Sequence, residues 1–445
     1  MTQPPKQNRQ LAGTDVRWRA MEALVAVDQG VAGSQAAVRQ ALDQKPELHG
    51  PDRGLVTELI YGVVRRQRAL DAWIAQGATR GLFEMDPVAL AALRLGAYQL
   101  AEMPRIPDFA AVDATVQACK AGLNKHSVGF VHAVLRNLAA QKRHQETALG
   151  DDLPAWLNHR IDRFAQRLHL DNAALHAAMR AQAPLHVSIP TRDPSVAEEL
   201  LAQGVPLEAL PVPGTYASSG GSLFQSEAFA QRRALAQDAG SAAIVRWIDA
   251  QPGMHVADLA AGRGIKSLGL AAAGAEVTAV DLQATRLVDA QALANTAGYP
   301  LAQVLAADLS QPIDLPKESF DVVLLDAPCS ALGTLRRRPE VRHRRSAADL
   351  MRLNELQQKM AHQAAQLVRP GGLLVMATCS LAEEEGPLLF GQFLIDHTAF
   401  SRDSGGTSGE RSWVQPLLDD QGDFASHPLC WGMDIFQATR LRKAV

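Results

Sequence analysis

Apolar residues recur every three or four positions from Asp15 to Lys142, in segments such as RWRAMEALVAVDQG, GLVTELIYGVVRRQRALDAWIA and VALAALRLGAYQLAEM. That spacing sets one apolar stripe along a helix, fit to face a core. Turn signals separate the segments at HGPDRG, at Met85-Asp86-Pro87 and at Met103-Pro104-Arg105-Ile106-Pro107, and no strand-like alternation intervenes. The pattern predicts a disordered N-terminus at 1–14 and an all-α domain at 15–150. From 151 to 238 the rhythm breaks: Pro154, Pro184, Pro190, Pro194, Pro206, Pro211 and Pro213 punctuate short pieces, and SSGGS at 218–222 reads as a loop. A small α/β connector is expected there.

From 239 to 445 the texture changes again. The apolar runs HVADLA, EVTAVDL, LAQVLAADL, FDVVLLDAP and GGLLVMATC are each followed by a helical or loop segment. Alternation of this kind implies a parallel sheet with helices on both faces, an α/β domain. Ligands of such sheets bind at the C-terminal ends of the strands, which is where the polar residues of this block fall.

Composition narrows the setting. With 445 residues the chain is long enough for two or three domains, each with its own core. A formal net charge of −3 carries no global sign of polyanion binding, although a whole-chain balance hides local patches. Four cysteines make no disulfide framework and suit a reducing cytosol, where thiols survive as reagents. The start, MTQPPKQNRQ, has no apolar h-region, and no stretch reaches the length of a membrane span. A cytoplasmic protein with no membrane partner is expected.

The first strand ends at Asp258 and runs into Ala260-Ala261-Gly262-Arg263-Gly264-Ile265-Lys266-Ser267. Small residues let backbone approach a ligand, and the helix that follows offers N–H groups. The second strand ends at Asp281, the position expected to take a ribose diol, and the third at Asp308, placed to meet an adenine edge. Any one of these acids alone reads equally well as a turn cap; three at successive strand ends point to a nucleoside cofactor. No second Gly-rich half follows, which favours an adenosyl group over a dinucleotide.

Cys329, in Leu325-Asp326-Ala327-Pro328-Cys329-Ser330, and Cys379, in Ala377-Thr378-Cys379-Ser380, fall at neighbouring strand ends. Cys119 and Cys430 have no motif around them and read as inert buried thiols. Soft ligands are too few for a metal site. A thiol beside a methyl donor has a use: by adding to C6 of cytosine it makes C5 nucleophilic enough to accept the methyl group. Asp326 is placed to handle the ring's N3 position. The target base would be unpaired or flipped out of its stack.

These motifs resemble the RNA (cytosine-5) methyltransferases, in particular the bacterial Sun/Fmu type that acts on small-subunit ribosomal RNA. The resemblance rests on Asp-Ala-Pro-Cys (326–329), Thr-Cys-Ser (378–380) followed by Glu384-Glu385, Asp281 with Arg286-Leu287, Arg-Arg-Pro-Glu (337–340) and Gln237-Asp238. ELIYGVVR (58–65), LRLGAYQL (93–100), AAVDATVQ (110–117) and GFVHAVLR (129–136) are similar to that family's NusB-like RNA-binding domain. It implies a class I S-adenosylmethionine methyltransferase domain, Rossmann-like, at 239–445, behind the NusB-like domain and the connector. It implies Cys379 as nucleophile and Cys329 as the thiol that assists release. S-adenosylmethionine would be held by Asp258, Ala260, Ala261, Gly262, Gly264, Lys266 near its methionine end, Asp281, Arg286, Asp308, Asp326 and Pro328. The product would be 5-methylcytosine in 16S ribosomal RNA, made by a monomer without a metal.

The chain departs from the family pattern in places. The usual D-x-C-A-A-P-G-G-K-T lacks its Cys, its Pro and the second Gly of the pair, implying an altered loop path at 260–265. Glu384-Glu385-Gly386 stands for E-E-N, Ser188-Ile189-Pro190 for R-V-N, and Asp434-Ile435-Phe436-Gln437 for D-G-F-F. A basic run, Arg336, Arg337, Arg338, Arg342, Arg344 and Arg345, follows the Cys329 loop and is expected to grip RNA phosphates. Lys142-Arg143-His144, ending the last helix of the first domain, suit either the helix dipole or an RNA-facing edge. Two other functions stay open: a DNA cytosine-C5 methyltransferase with Cys329 as nucleophile, and a non-catalytic RNA-binding or assembly factor.

Overall fold

The computed structural model describes residues 6–78, 81–144, 153–403, 405 and 409–445. It divides into two compact units. The first runs to Leu157 and takes in Arg337–Arg344; the second comprises Asn158–Arg336 and Arg345–Val445.

The first unit is helical: α1 (Lys6–Asp28), α2 (Ser34–Asp43), α3 (Gly50–Gly77), α4 (Pro87–Glu102), α5 (Asp108–Cys119) and α6 (Lys125–His144). Helix α1 begins at Lys6, so most of the segment expected to be disordered is helical, and residues 1–5 lie outside the described residues. Pro87 occupies the first turn of α4, and the Asp86 carboxylate accepts from Val88 N (2.8 Å) and Ala89 N (3.1 Å). Such a cap contributes about 1 kcal/mol. From Ala89 to Leu100 every residue of α4 is buried, which makes it the central helix of the core. The buried Arg94 is forked onto Asp71 (2.7 and 2.8 Å) and reaches Asp28 (3.1 Å). At the end of α6, Lys142 pairs with Asp108 at 2.8 Å; the side chains of Arg143 and His144 lie outside the described residues, as does the stretch 145–152, where the first block was expected to end.

The second unit holds two sheets. The connector block forms a small antiparallel sheet of β1 (Leu185–Ser188), β2 (Glu208–Ala209), β3 (Thr215–Ser218) and β4 (Leu235–Ala236), in the order β2-β3-β1-β4. It packs on the helix Ala239–Ile248: Arg246 donates to Ile189 O (2.9 Å) and Pro213 O (3.2 Å), and Val212 joins the core around Trp247. The block expected as a separate connector is therefore part of the same compact unit as the large sheet.

That sheet contains β5 (His255–Leu259), β6 (Glu276–Asp281), β7 (Gln303–Ala306), β8 (Phe320–Asp326), β9 (Val368–Thr378), β10 (Phe400–Arg402), β11 (Phe424–Ala425) and β12 (Gln437–Lys443). The order is β10-β12-β9-β8-β5-β6-β7, with β11 paired to β12. The five predicted strands are β5 to β9, and they run parallel as expected. The remaining strands pair antiparallel, so the sheet is mixed. Two apolar clusters, one around Trp247 and Phe436 and one around Phe390 and Met376, cover its two faces. Their residues alternate along β8 and β9, as the pleat requires. Among the described residues no helix is long and apolar enough to cross a membrane.

Candidate active site

The loop after β5 turns sharply: Ala260, Gly262 and Gly264 take φ of +59°, +58° and +77°. A Cβ on Gly264 would lie 2.6 Å from Ala290 Cβ and 2.9 Å from Ala290 Cα, so only glycine lets the loop pass the helix Ala284–Thr296. At Gly262 a Cβ would meet nothing within 4 Å, leaving that side of the loop open. Alanine replaces the family's cysteine at 260 and keeps a left-handed backbone, at a cost of about 1–2 kcal/mol.

Three of the four strand-end acids are tied into this loop or the helix behind it. Ser267 donates to Asp258 Oδ2 at 2.5 Å, while Asp258 Oδ1, fully buried, has no partner among the described residues. Burial pushes the Asp258 carboxyl up to about 7, with the like charges of Asp326 and Asp281 adding and Ser267 opposing. Asp281 accepts from Gly262 N (3.0 Å) and Gln283 N (2.9 Å), which fixes both its oxygens at the end of β6. Lys266 donates to Asp326 Oδ2 at 2.7 Å and lies 5.8 Å over the Phe436 ring. Burial alone would lower the Lys266 ammonium; the charge and hydrogen bond of Asp326, with Asp258 and Cys379 beyond, raise it. Asp308 stands two residues past β7, exposed, and caps a turn through Ser310 N (2.9 Å) and Ser310 Oγ (2.7 Å), bonds that hold its carboxyl below the usual range. Arg286 and Pro328 are both exposed.

Strands β8 and β9 run side by side, with Asp326 beside Ala377. Three residues beyond Asp326 and two beyond Ala377, the Cys329 and Cys379 sulfurs lie 3.1 Å apart, both free and half-buried. The hydrogen bond to Cys379, then burial, then the charges of Cys379 and Glu385 push the Cys329 thiol well up. Cys329 is therefore held towards its protonated form, and either sulfur of the pair could be the donor. For the other two cysteines burial is the raising cause: it pushes Cys119 up to about 12 and Cys430 up to about 11.

Within the basic run, four of the six guanidinium groups bond backbone carbonyls of this chain. Arg336 is buried against Asp434 (3.1 Å) and the carbonyls of Gly432 (2.5 Å) and Met433 (3.1 Å). Buried Arg342 donates to Arg65 O (3.0 Å), Arg344 to Val27 O and to Ala32 O (2.6 Å), and Arg345 to Ser330 O (3.2 Å). Arg337 is half-buried, and Arg338 is exposed. Glu385, Ser330 and Gln357 knit the two cysteine loops together; Glu385 and Ser330 lie in motifs visible in the sequence, whereas Gln357 and the pairing itself leave no local signal.

The family described as 16S rRNA methyltransferase RsmB/F matches residues 245–412, and the NusB family matches residues 14–140. Ribosomal RNA small subunit methyltransferase B of Thermus thermophilus is 34% identical over 394 residues, covering 87% of this chain and 89% of that protein. A probable ribosomal RNA small subunit methyltransferase B of Synechocystis is 30% identical over 381 residues, covering 82% and 85%. The crystal structure of PH0851 shares the fold with a TM-score of 0.80 at 22% identity, over 96% of this chain and 99% of that one. The chain thus carries a NusB-family domain followed by a class I methyltransferase domain, and it belongs to the RsmB/F family of small-subunit ribosomal RNA methyltransferases.

Proposed function

We propose that the protein transfers a methyl group from S-adenosylmethionine to C5 of a cytosine in 16S ribosomal RNA, through a covalent bond between Cys379 and C6. The observation that carries this reading is the pair of thiols 3.1 Å apart at adjoining strand ends. The loop at 260–265 fits an adenosyl cofactor: it is open at Gly262, it leaves a buried Asp258 oxygen unpartnered, and it presents the fixed carboxylate of Asp281. Asp258, Gly262, Asp281 and Lys266 would hold the cofactor, which supplies an electrophilic methyl group.

The chain's own residues carry the rest. The Cys379 thiolate adds to C6, and the electron pair of the C5–C6 bond becomes available at C5. Asp326, held by Lys266, faces the polar edge of the ring at N3. After methylation the C5 proton passes to solvent, the C5–C6 double bond re-forms and Cys379 leaves as thiolate. Cys329, protonated and in contact with the departing sulfur, stabilises that charge by donating a hydrogen bond. The NusB-family unit would supply RNA binding, with the protein acting as a cytoplasmic monomer.

Labelled methyl groups are expected to enter small-subunit RNA with the native protein and not with Cys379→Ala. Cys329→Ala is expected to trap a protein–RNA adduct stable to denaturing electrophoresis. Full activity of Cys379→Ala together with loss in Cys329→Ala would instead assign the nucleophile to Cys329. Absence of any heat on titration with S-adenosylmethionine would point to a non-catalytic assembly factor. Bisulfite mapping of ribosomal RNA from a deletion strain identifies the nucleotide.

A further inference from the structure

The carboxylate of Glu385 is fully buried, yet the chemistry above gives it no part. It follows Cys379 by six residues, in a short helical turn at Glu383–Glu385. Its own loop is closed on the cysteine strand: Thr378 Oγ1 donates to Glu385 O at 2.8 Å, and Ala382 N to Ser380 Oγ at 3.1 Å. The side chain reaches across to the other cysteine's loop. Oε1 accepts from Ser330 N (2.8 Å) and from Gln357 Nε2 (3.1 Å), while Oε2 accepts from Ser330 Oγ. Ser330 Oγ also contacts Ser380 Oγ at 3.1 Å, and Gln357 Nε2 donates to Pro328 O at 2.9 Å. The residue next to each cysteine is thus bonded to this one network.

A buried carboxylate costs several kcal/mol in lost hydration unless its hydrogen bonds are complete. Three donors offset that cost here, and all three come from the Cys329 loop or from the glutamine that holds it. Closing the two loops on each other would need only neutral groups, such as the Ser330–Ser380 contact already present. A negative charge at this place does something a neutral link does not: it opposes ionisation of the Cys329 thiol, whose other charged neighbour is Cys379.

We propose that Glu385 is a positioning residue for methyl transfer, clamping the Cys329 loop to the Cys379 loop and so setting the surroundings of the Cys329 thiol. The proposal rests on the roles assigned above to the two cysteines. Glu385 touches neither RNA nor cofactor in this account; it acts through Cys329, on the release step.

The decisive readout is the covalent adduct. Glu385→Gln keeps the shape and removes the charge. With both cysteines intact, it is expected to accumulate the same protein–RNA adduct as Cys329→Ala and to turn over at least tenfold more slowly. In a Cys379→Ala background, Glu385→Gln is also expected to raise the rate of Cys329 alkylation by iodoacetamide at pH 8 about threefold, since a nearby negative charge has gone. Should Glu385→Gln fail to fold, Ser330→Ala, which cuts the link from the other loop, is expected to accumulate adduct while Cys329 keeps its alkylation rate. Native turnover without adduct in either folded variant overturns the proposal. Failure of Cys329→Ala itself to trap an adduct would overturn the underlying assignment instead, so the two failures are distinguishable.

Discussion

Asp258 is bonded by Ser267 on one oxygen and by none of the described residues on the other, in a fully buried place at the head of the loop at 260–265. Its carboxyl is pushed up to about 7, chiefly by burial. In the unfolded chain it would titrate near its usual value of about 4. Between those two pH values the folded protein holds a proton that the unfolded chain has lost. Stability from this residue is therefore complete below about pH 4 and is lost as pH rises towards 7, by about 4 kcal/mol across the window. Asparagine at this position keeps an acceptor for Ser267 and cannot ionise. Denaturant melts of the native protein and of Asp258→Asn, run from pH 4 to 8, are expected to converge at the acid end. The variant should become the more stable of the two as pH rises; parallel curves would show that Asp258 ionises normally. The same reasoning separates the thiols. Cys329 sits beside another sulfur and a carboxylate, whereas Cys119 is raised by burial alone.

Strand ends, rather than single side chains, set the distance between the two cysteines. Gly333 shows how tightly the loop after β8 is seated: Gly333 N donates to Cys379 O (2.9 Å), and Ile435 N donates to Gly333 O (3.0 Å). A Cβ there would lie 2.0 Å from Ile435 O and 2.9 Å from Cys379 O, both backbone atoms with no rotamer to yield. Gly333→Ala should therefore destabilise the second unit by about 1–3 kcal/mol and displace the carbonyl of Cys379. Loss of methyl transfer greater than the loss of fold, measured at a temperature where the variant is still native by circular dichroism, is the expected result. The sequence displayed this element level well where the information was local. Strands β5 to β9 were legible as apolar runs, and the four aspartates and two cysteines were legible as residues at their ends, because sheet topology brings parallel strand ends together whatever lies between. Pairings between distant segments were not legible. Arg336 meets Asp434, and Glu385 meets Ser330, across spans that no local pattern records. The arginine run shows what a local reading of charge leaves out: Arg336 and Arg342 are buried, and Arg344 and Arg345 bond carbonyls distant in sequence. The antiparallel strands β10 to β12 were missed for a related reason, being short or charged, like the ATRLRK of β12, with apolar partners supplied by β9.

At the scale of the molecule, the helical unit is not continuous in sequence. Its contacts include Arg337–Arg344, a stretch nearly two hundred residues beyond its last helix. Glu340, 4% exposed, accepts from Ser34 Oγ at 2.7 Å, and its Oε1 fills the space beside Gly33, where a Cβ would come within 2.8 Å. Arg342 donates to Arg65 O (3.0 Å), His343 Nε2 bonds Val64 O (3.0 Å), and Arg344 donates to Val27 O and Ala32 O. These carbonyls belong to α1, to the turn after it and to the middle of α3. A fragment cut from the N-terminus to Leu157 would leave the surface under Glu340 and Arg342 uncovered, with Ser34 losing its charged acceptor. A hydrogen bond to a charged group contributes roughly 1.5–3 kcal/mol, and a flexible linker makes a short segment's docking effectively intramolecular. Residues 1–157 followed by a Gly/Ser linker and 337–344 should therefore unfold at higher denaturant than residues 1–157 alone, by about 1–3 kcal/mol. Glu340→Ala in the appended segment should remove most of that gain, and Arg338→Ala, on the exposed side, little of it. If appending 337–344 left the midpoint unchanged, the helical unit would be complete without it, and the arginine run would again be available to grip RNA.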